Sequence, residues 1–557
     1  MRHNKENEGS TKPKVIIIGG GVSGLSAGIY AQKCGFDVTI VESHRIAGGN
    51  CASWKRNGYQ FEGGLHWLGG SKAGTPLNRA WRHVGALDDG VVIHTDEPFV
   101  EYRHETGTIC LYRDTAKTEQ HLLALAPQDS RIIRSFCRGI KTMSLLPTTL
   151  TDIKGVKVTG KKETESLGDL IKTLRALRVL LKYSKIVRED YAKRFTHPGL
   201  SEFIQAIPGE QQGIGMLMMT MGSLAGGDGG FPEGGSVPFV QRMVRTFEAC
   251  GGTLLLSTRA LKVVVKQGKA VGVEVRGKGG ITGKPVQTDC VRAGMESADA
   301  KPGPAGESNA DAETRLASAN NTSAEASLLK ADAVIVASDT MKADALFSEP
   351  LQSVWLAKIR AITSPTSAVL VSLGINCDLS RHAKGFIMRF PQPLRYADKQ
   401  VEYVLVSNYA GDQNYAPAGK TVLTMQLPGD TYDFWVQARA EGRYVAEKRN
   451  IQEQVERALT EQIPEIAGCI EVCDIATPLT YERYCDNWRG SWMTEITSAL
   501  EARPYPPTVD NISALYFCGH RMMPPGGYPP AILSARTAVQ HLCKDTGTVF
   551  VSEEGHS

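Results

Sequence analysis

Residues 14–49, KVIIIGGGVSGLSAGIYAQKCGFDVTIVESHRIAGG, constrain the fold more than any other stretch of the chain. Residues 15–18 are a β-branched run suited to a parallel strand buried on both faces. Gly19, Gly21 and Gly24 follow at G-x-G-x-x-G spacing; a helical stretch then runs to about Cys34, and Asp37–Val41 reads as a second strand. Gly19 permits the tight turn, Gly21 lets a pyrophosphate approach the backbone, and Gly24 lets helix and strand pack closely. Free N–H groups at the helix start, near Val22 and Ser23, can then hold phosphate oxygens. Glu42 stands at the end of the second strand, eighteen positions after Gly24. Its carboxylate can accept from both ribose hydroxyls, which favours an unphosphorylated ribose. A lone glycine fingerprint is weak evidence; this one has its strand, its helix and its acid in place.

Gly48 and Gly49, just after Ser43, allow a second backbone pass along an extended dinucleotide, continuing into Asn50. The E-x-x-x-x-x-G-G tail resembles the two-dinucleotide-binding motif of FAD oxidoreductases more than an NAD dehydrogenase. Downstream, FEGGLHWLGG (61–70) is similar to the F-D-x-G-x-H-x-x-G stretch of the phytoene desaturase, carotenoid isomerase and retinol saturase family. That resemblance implies that Gly64, Leu65 and His66 lie near the flavin. His66 is then either a packed, hydrogen-bonded histidine or a catalytic side chain near the reacting carbons.

The resemblance continues along the chain. Phe231-Pro232-Glu233-Gly234-Gly235 looks like the family's P-x-G-G element, followed by a helix over 237–250. Leu261 falls where the family places an aliphatic residue whose backbone meets the adenine. ADAVIVA (331–337) looks like the strand that rejoins the parallel sheet. Near the C-terminus, Gly519 and then PGGYPPA (525–531) resemble the family's G-D and P-G-G-G-x-P elements and a following helix. By that likeness Gly519, Gly527, Tyr528, Pro530 and Ala531 meet the flavin end, the helix start favouring its reduced anionic form. Two departures stand out: His520 replaces an acidic residue, which puts the usual ribityl contact in doubt, and Tyr528 replaces a glycine.

The implied fold is α/β: a Rossmann-like two-dinucleotide-binding FAD domain interleaved with an α+β substrate domain, as in amine oxidases and phytoene desaturases. The expected segments are a disordered leader (1–13), FAD-domain pieces at 14–80, 229–276, 328–345 and 511–557, and substrate-domain pieces at 81–228 and 346–510. Residues 277–327, rich in Gly, Ala, Ser, Asn and charge, read as a low-complexity insertion that cannot bury enough apolar surface to order itself.

A net charge of +4 over 557 residues excludes a general nucleic-acid role. No run of 18 apolar residues or signal peptide is found, and the twelve scattered cysteines match neither a disulfide framework nor a metal site. A cytoplasmic location is expected, with peripheral membrane contact as an alternative. Over 163–195, Leu167, Ile171, Leu174, Leu177 and Leu181 recur at helical spacing, with Lys172, Arg175, Arg178, Lys182, Lys185 and Arg188 between them. This basic helix near 167–188 either lies on an anionic membrane surface or is a plain surface helix with a solvated charged face. Met216, Met218, Met219 and Met221 suit either an adaptable core or an apolar tunnel. The resemblance implies an FAD-dependent oxidoreductase that desaturates, saturates or isomerises carbon–carbon double bonds in a long apolar, carotenoid-, retinoid- or lipid-like substrate. An amine-oxidase-like flavoenzyme and a non-enzymatic FAD-bound lipid carrier stay open. No second dinucleotide fingerprint is present, so a separate NADPH domain is not expected.

Overall fold

The β-branched strand Lys14–Ile18 is buried from Val15 onward and lies at the centre of a five-stranded parallel sheet. The computed structural model describes residues 12–146, 150–160, 167–207, 213–277, 325–495 and 503–553. Asp37–Val41 and Ala333–Val336 flank the central strand, with Thr253–Leu255 and Leu515–Phe517 at the edges. Four distant parts of the chain therefore build one sheet. Side chains alternate across it, as strand geometry requires. Val15 and Ile17 pack with the mutually packed helices Val22–Lys33 and Tyr528–Thr546. Ile16 and Ile18 pack on the other face with Val263, Val273 and Val275 of a three-stranded antiparallel sheet.

That small sheet corrects the ends of the expected insertion. Residues 278–324 lie outside the described residues, as do 1–11 of the leader. Gly277, however, ends the strand Lys269–Gly277, and Ser327–Lys330 pairs antiparallel with it. Residues 150–158, expected with the substrate domain, instead place Leu150, Ile153, Val156 and Val158 in the dinucleotide-domain core. Asp152 is tied there by Arg536 at 2.7 Å, both nearly solvent-free.

The second body is a seven-stranded sheet in the order Ile470–Ala476, Ala368–Ile375, Thr421–Pro428, Lys399–Asn408, Gly385–Tyr396, Val100–His104, Gly107–Leu111. One face, including Val371, Leu373, Leu423 and Met425, packs on the helix Tyr444–Gln462. The other face meets the strand Tyr59–Glu62 of the dinucleotide-binding part. Contact is close: a Cβ added at Gly374 would stand 2.6 Å from the Tyr59 ring.

The helices Ser130–Met143, Leu167–Tyr183 and Ile214–Ala225 pack together at one end. Met218 and Met221 are buried in their core, whereas Met216 and Met219 are half-buried. The basic helix expected near 167–188 ends at Tyr183, and Arg188 is buried at the start of the next helix, Arg188–Ala192; the plain-surface-helix reading is incomplete too, because the leucine stripe is solvated along with the charges. Ala176, Val179, Leu180 and Tyr183 supply the inward side instead.

Candidate functional site

The first glycine turn has the geometry its spacing demands. Gly19 takes φ +106° and donates its N–H to Val41 O at 2.9 Å, closing the turn between strands. A Cβ on Gly24 would lie 1.9 Å from Gly19 O, so no side chain fits there. Gly21 caps the helix Val22–Lys33 without any side-chain bond, which leaves the Val22 and Ser23 amides free at its start. Gly48 comes alongside, its N–H bonded to Gly20 O at 2.9 Å, and Gly49 follows at φ +57°. A Cβ on Gly21 would meet only Gly48 and Gly49 backbone at 3.8 Å, so the two passes enclose a side-chain-free cradle.

Glu42 closes the cradle at one end. Its carboxylate accepts from the Gly20 and His44 amides, each at 2.7 Å, and from Ser43 Oγ at 3.4 Å. Burial pushes its pKa up against those hydrogen bonds. A carboxylate has about four lone-pair sites, so one remains for a ribose hydroxyl, and a second if the long Ser43 contact gives way. Beside it, Thr258 N–H bonds Glu42 O, and the strand Thr258–Lys266 begins. Pairing with the next strand skips between Ala260 and Lys262, so Leu261 is a bulge residue whose backbone has no ladder partner. That is a backbone free to meet a base edge.

The two chain ends converge at the other end. A Cβ on Gly64 would lie 2.3 Å from Asn50 O and 2.6 Å from the Tyr528 hydroxyl, and one on Gly69 3.2 Å from Pro529. Tyr528 Oη donates to Asn50 O at 3.4 Å. Gly527, at φ +100°, starts the terminal helix and has open space where a Cβ would be. Pro529 and Pro530 carry no N–H, and Ala531 N–H bonds Gly527 O at 3.1 Å. Tyr528 therefore brings the first-turn amide that stands outside the helix ladder. Gly519 is held by the Ser534 hydroxyl at 3.0 Å. His520 is half-buried, its Nδ1 has no hydrogen-bond partner among the described residues, and burial brings its pKa down to about 3.

Between these ends lies a polar knot. Glu62, fully buried, accepts from the amides of Gly64, Leu65 and Ser236, each at 3.0 Å, from Ser236 Oγ at 2.5 Å and from Tyr415 Oη at 3.1 Å. It thereby sets the turn carrying Leu65 and His66. Burial raises its pKa while these donors oppose the rise. His66 Nε2 accepts from Gln426 Nε2 at 2.8 Å, and burial lowers the histidine pKa to about 4, so the ring is neutral near pH 7. Since Nε2 is the acceptor, its proton sits on Nδ1. Gln426 lies on the substrate-sheet face that also carries Ser372 and Thr424, all uncharged. Behind the terminal turn, Arg521 and Asp339 form a buried two-bond ion pair at 2.9 and 3.0 Å; Asp339 also receives the Trp488 amide.

The structure thus gathers Gly19, Gly21, Val22, Ser23, Gly24, Glu42, Ser43, Gly48 and Gly49 around the first turn, and the next residue, Asn50, joins them to Gly64, Leu65 and Tyr528, with Pro530 in the first turn of the terminal helix. Sequence reasoning missed Glu62, Gln426, Ser236 and the Asp339–Arg521 pair. Glu62 carried a signal, standing where the resembling motif has its aspartate; the others' partners are too distant in sequence to be read from it.

The family profile described as flavin containing amine oxidoreductase matches residues 22–543. All-trans-retinol 13,14-reductase of Homo sapiens is 24% identical over 298 residues, covering 48% of this chain and 45% of that protein. Phytoene desaturase (neurosporene-forming) of Rhodobacter capsulatus is 26% identical over 286 residues, covering 49% and 51%. The chain spans about half the length of these curated relatives. Putrescine oxidase bound to putrescine shares the fold, with a TM-score of 0.54 and 14% identity over 96% of this chain and 99% of that one. The cofactor is FAD: the side-chain-free cradle, the Glu42 acceptor and the two uncapped helix starts fit a flavin dinucleotide.

Proposed function

We propose that this chain, which belongs to the flavin-containing amine oxidoreductase family, adds, removes or shifts a carbon–carbon double bond in a long apolar or polyene substrate. Bound FAD supplies a two-electron donor or acceptor at its N5. The Val22 and Ser23 amides would bind the pyrophosphate, with Gly48, Gly49 and Asn50 along its second side. Glu42 and Ser43 would take the adenosine ribose, and the Leu261 backbone the adenine. Gly519, Gly527, Tyr528, Pro530 and Ala531 would hold the flavin end, with Gly64 and Leu65 against the ring.

One observation carries the substrate reading. The turn of Gly64, Leu65 and His66 carries a neutral histidine held by the amide of Gln426, which shares a sheet face with uncharged Ser372 and Thr424. Among the described residues that face carries no fixed charge to compensate the desolvation of an ammonium substrate, and the nearby Glu62 is already committed to five donors of the protein; covering neutral side chains with a hydrocarbon costs far less than covering an ion. His66 then packs beside the substrate as a neutral ring, and Glu62 holds His66 in register. The relatives named for a retinol reductase and a phytoene desaturase support the same class.

The test is anaerobic mixing of the FAD-loaded protein with retinoids, C40 polyenes and a panel of amines, with flavin absorbance and product mass as readouts. A polyene product changed by two hydrogens or by double-bond position, with no peroxide from amines in air, is expected. Amine-driven bleaching with peroxide release would overturn the reading in favour of amine oxidation. Tight polyene binding with no redox change would overturn it in favour of a carrier.

A further inference from the structure

The helix Leu167–Tyr183 is turned the opposite way from an ordinary surface helix. Ala176 and Tyr183 are buried, and Val179 and Leu180 pack into the neighbouring helical core. Tyr183 is anchored further by a hydroxyl contact with Ser135 at 2.9 Å. At about 100° per residue, Leu167, Leu170, Leu174, Leu177 and Leu181 fall on the far side, with Ile171 at its margin. Leu167 is 75% exposed, and the other five are 43–52% exposed. Six large aliphatic side chains thus form a continuous outward stripe. On a protein of this size, isolated exposed leucines need no account, but an aligned row does.

The charges flanking the stripe say what covers it. Arg175, Arg178, Lys182 and Lys185 are exposed beside it. The one acid within the helix, Asp169, is half-buried on the inward side and paired to Lys172 at 3.0 Å. A second copy applying the same face would set like charges against each other. An anionic bilayer satisfies both features: the leucines enter the acyl boundary while the Arg and Lys heads reach phosphate and carboxylate groups. We infer that the outward face of Leu167–Tyr183 docks this protein onto an anionic lipid surface, lying in the plane of the interface. Among the described residues no helix is long and apolar enough to cross a membrane, so the attachment is an in-plane one. The inference stands on exposure and charge alone and does not depend on the substrate reading.

The experiment is flotation of the full FAD-loaded chain with vesicles of phosphatidylcholine, alone or with about 30% phosphatidylserine. Three proteins are compared: the natural chain, L174Q/L177Q and R175Q/R178Q, each checked for an unchanged flavin spectrum and melting temperature. The natural chain is expected to float with anionic vesicles and to be released by salt. L174Q/L177Q should bind at least about tenfold more weakly to both vesicle types. R175Q/R178Q should lose about tenfold or more on anionic vesicles, with little change on neutral ones. Failure of the natural chain to float, or equal flotation of all three proteins, overturns the proposal. So does a dimer in light scattering that L174Q/L177Q dissociates, because the stripe is then a contact between copies; a stable complex through this face with another protein, without vesicle binding, overturns it likewise.

Discussion

Replacing Glu62 by leucine tests whether one buried carboxylate organises the turn that carries His66. The two side chains are close in size, so the change removes acceptors with little change in packing volume. In the native protein every group facing the carboxyl can donate: three backbone amides and two hydroxyls. Leu65 N–H keeps a second partner in Ser236 Oγ at 3.0 Å. The Gly64 and Ser236 amides lose the carboxyl acceptor inside a dry interior, at about 1–3 kcal/mol each. The expected loss is therefore about 2–6 kcal/mol, whichever protonation state Glu62 adopts. With roughly 2.1 cal/mol/K per residue, 557 residues unfolding together give an entropy of about 1.2 kcal/mol/K. The melting temperature should fall by about 2–5 °C. The assay is thermal unfolding followed by flavin fluorescence, alongside Y415F, which removes a single donor and should cost only about 1 kcal/mol. Because Gly64 lies against Asn50 and Tyr528, Glu62→Leu should also weaken FAD binding, and Tyr415→Phe should not. If Glu62→Leu melts with Tyr415→Phe and holds FAD as tightly, the carboxylate does not organise this turn.

Further predictions concern charge and pH. His66 and His520 have folded pKa values near 4 and 3, against an ordinary 6.5. The unfolded chain binds more protons in that window, so stability is full above about pH 6.5 and declines as pH falls toward 4. At pH 5 each histidine should cost about 2 kcal/mol, and H66N or H520N should flatten the pH dependence of unfolding by about that amount. Asp339→Leu should destabilise by about 3–5 kcal/mol, because it strands the buried Arg521 guanidinium. The double variant D339L/R521M should be more stable than D339L alone in denaturant titration; equal or lower stability would show that the pair does not act as a unit.

What could be read from the sequence was what local spacing determines. Gly19, Gly21 and Gly24 lie within one turn of chain, so their spacing alone fixes the cradle. The helix stripe at 167–181 was legible as periodicity, but periodicity does not say which side faces the protein; Ala176 and Tyr183, unremarkable in sequence, decide it. The strand Gly385–Tyr396 is not legible in the sequence, because Pro391 and Pro393 interrupt its pattern. They fall where pairing with Lys399–Asn408 is lost between Arg389 and Leu394, a place where proline costs no ladder bond. Glu62 and Gln426 act through residues far along the chain, at 236, 415 and 66. No local pattern specifies such partners; the packing of the two sheets does.

The central claim is that one FAD is gripped by both ends of the chain. Titration of the apoprotein with FAD, followed by flavin fluorescence, tests it most directly in the natural chain, G24A and G527A. Gly24→Ala drives a methyl into Gly19 O, and Gly527→Ala places a side chain at φ +100° with no local clash to confuse the result. The account predicts one FAD per chain and affinity lowered at least about tenfold, or 1.4 kcal/mol, in both variants, although the two sites lie 503 positions apart. Native affinity in G527A, or a stoichiometry other than one, would contradict it.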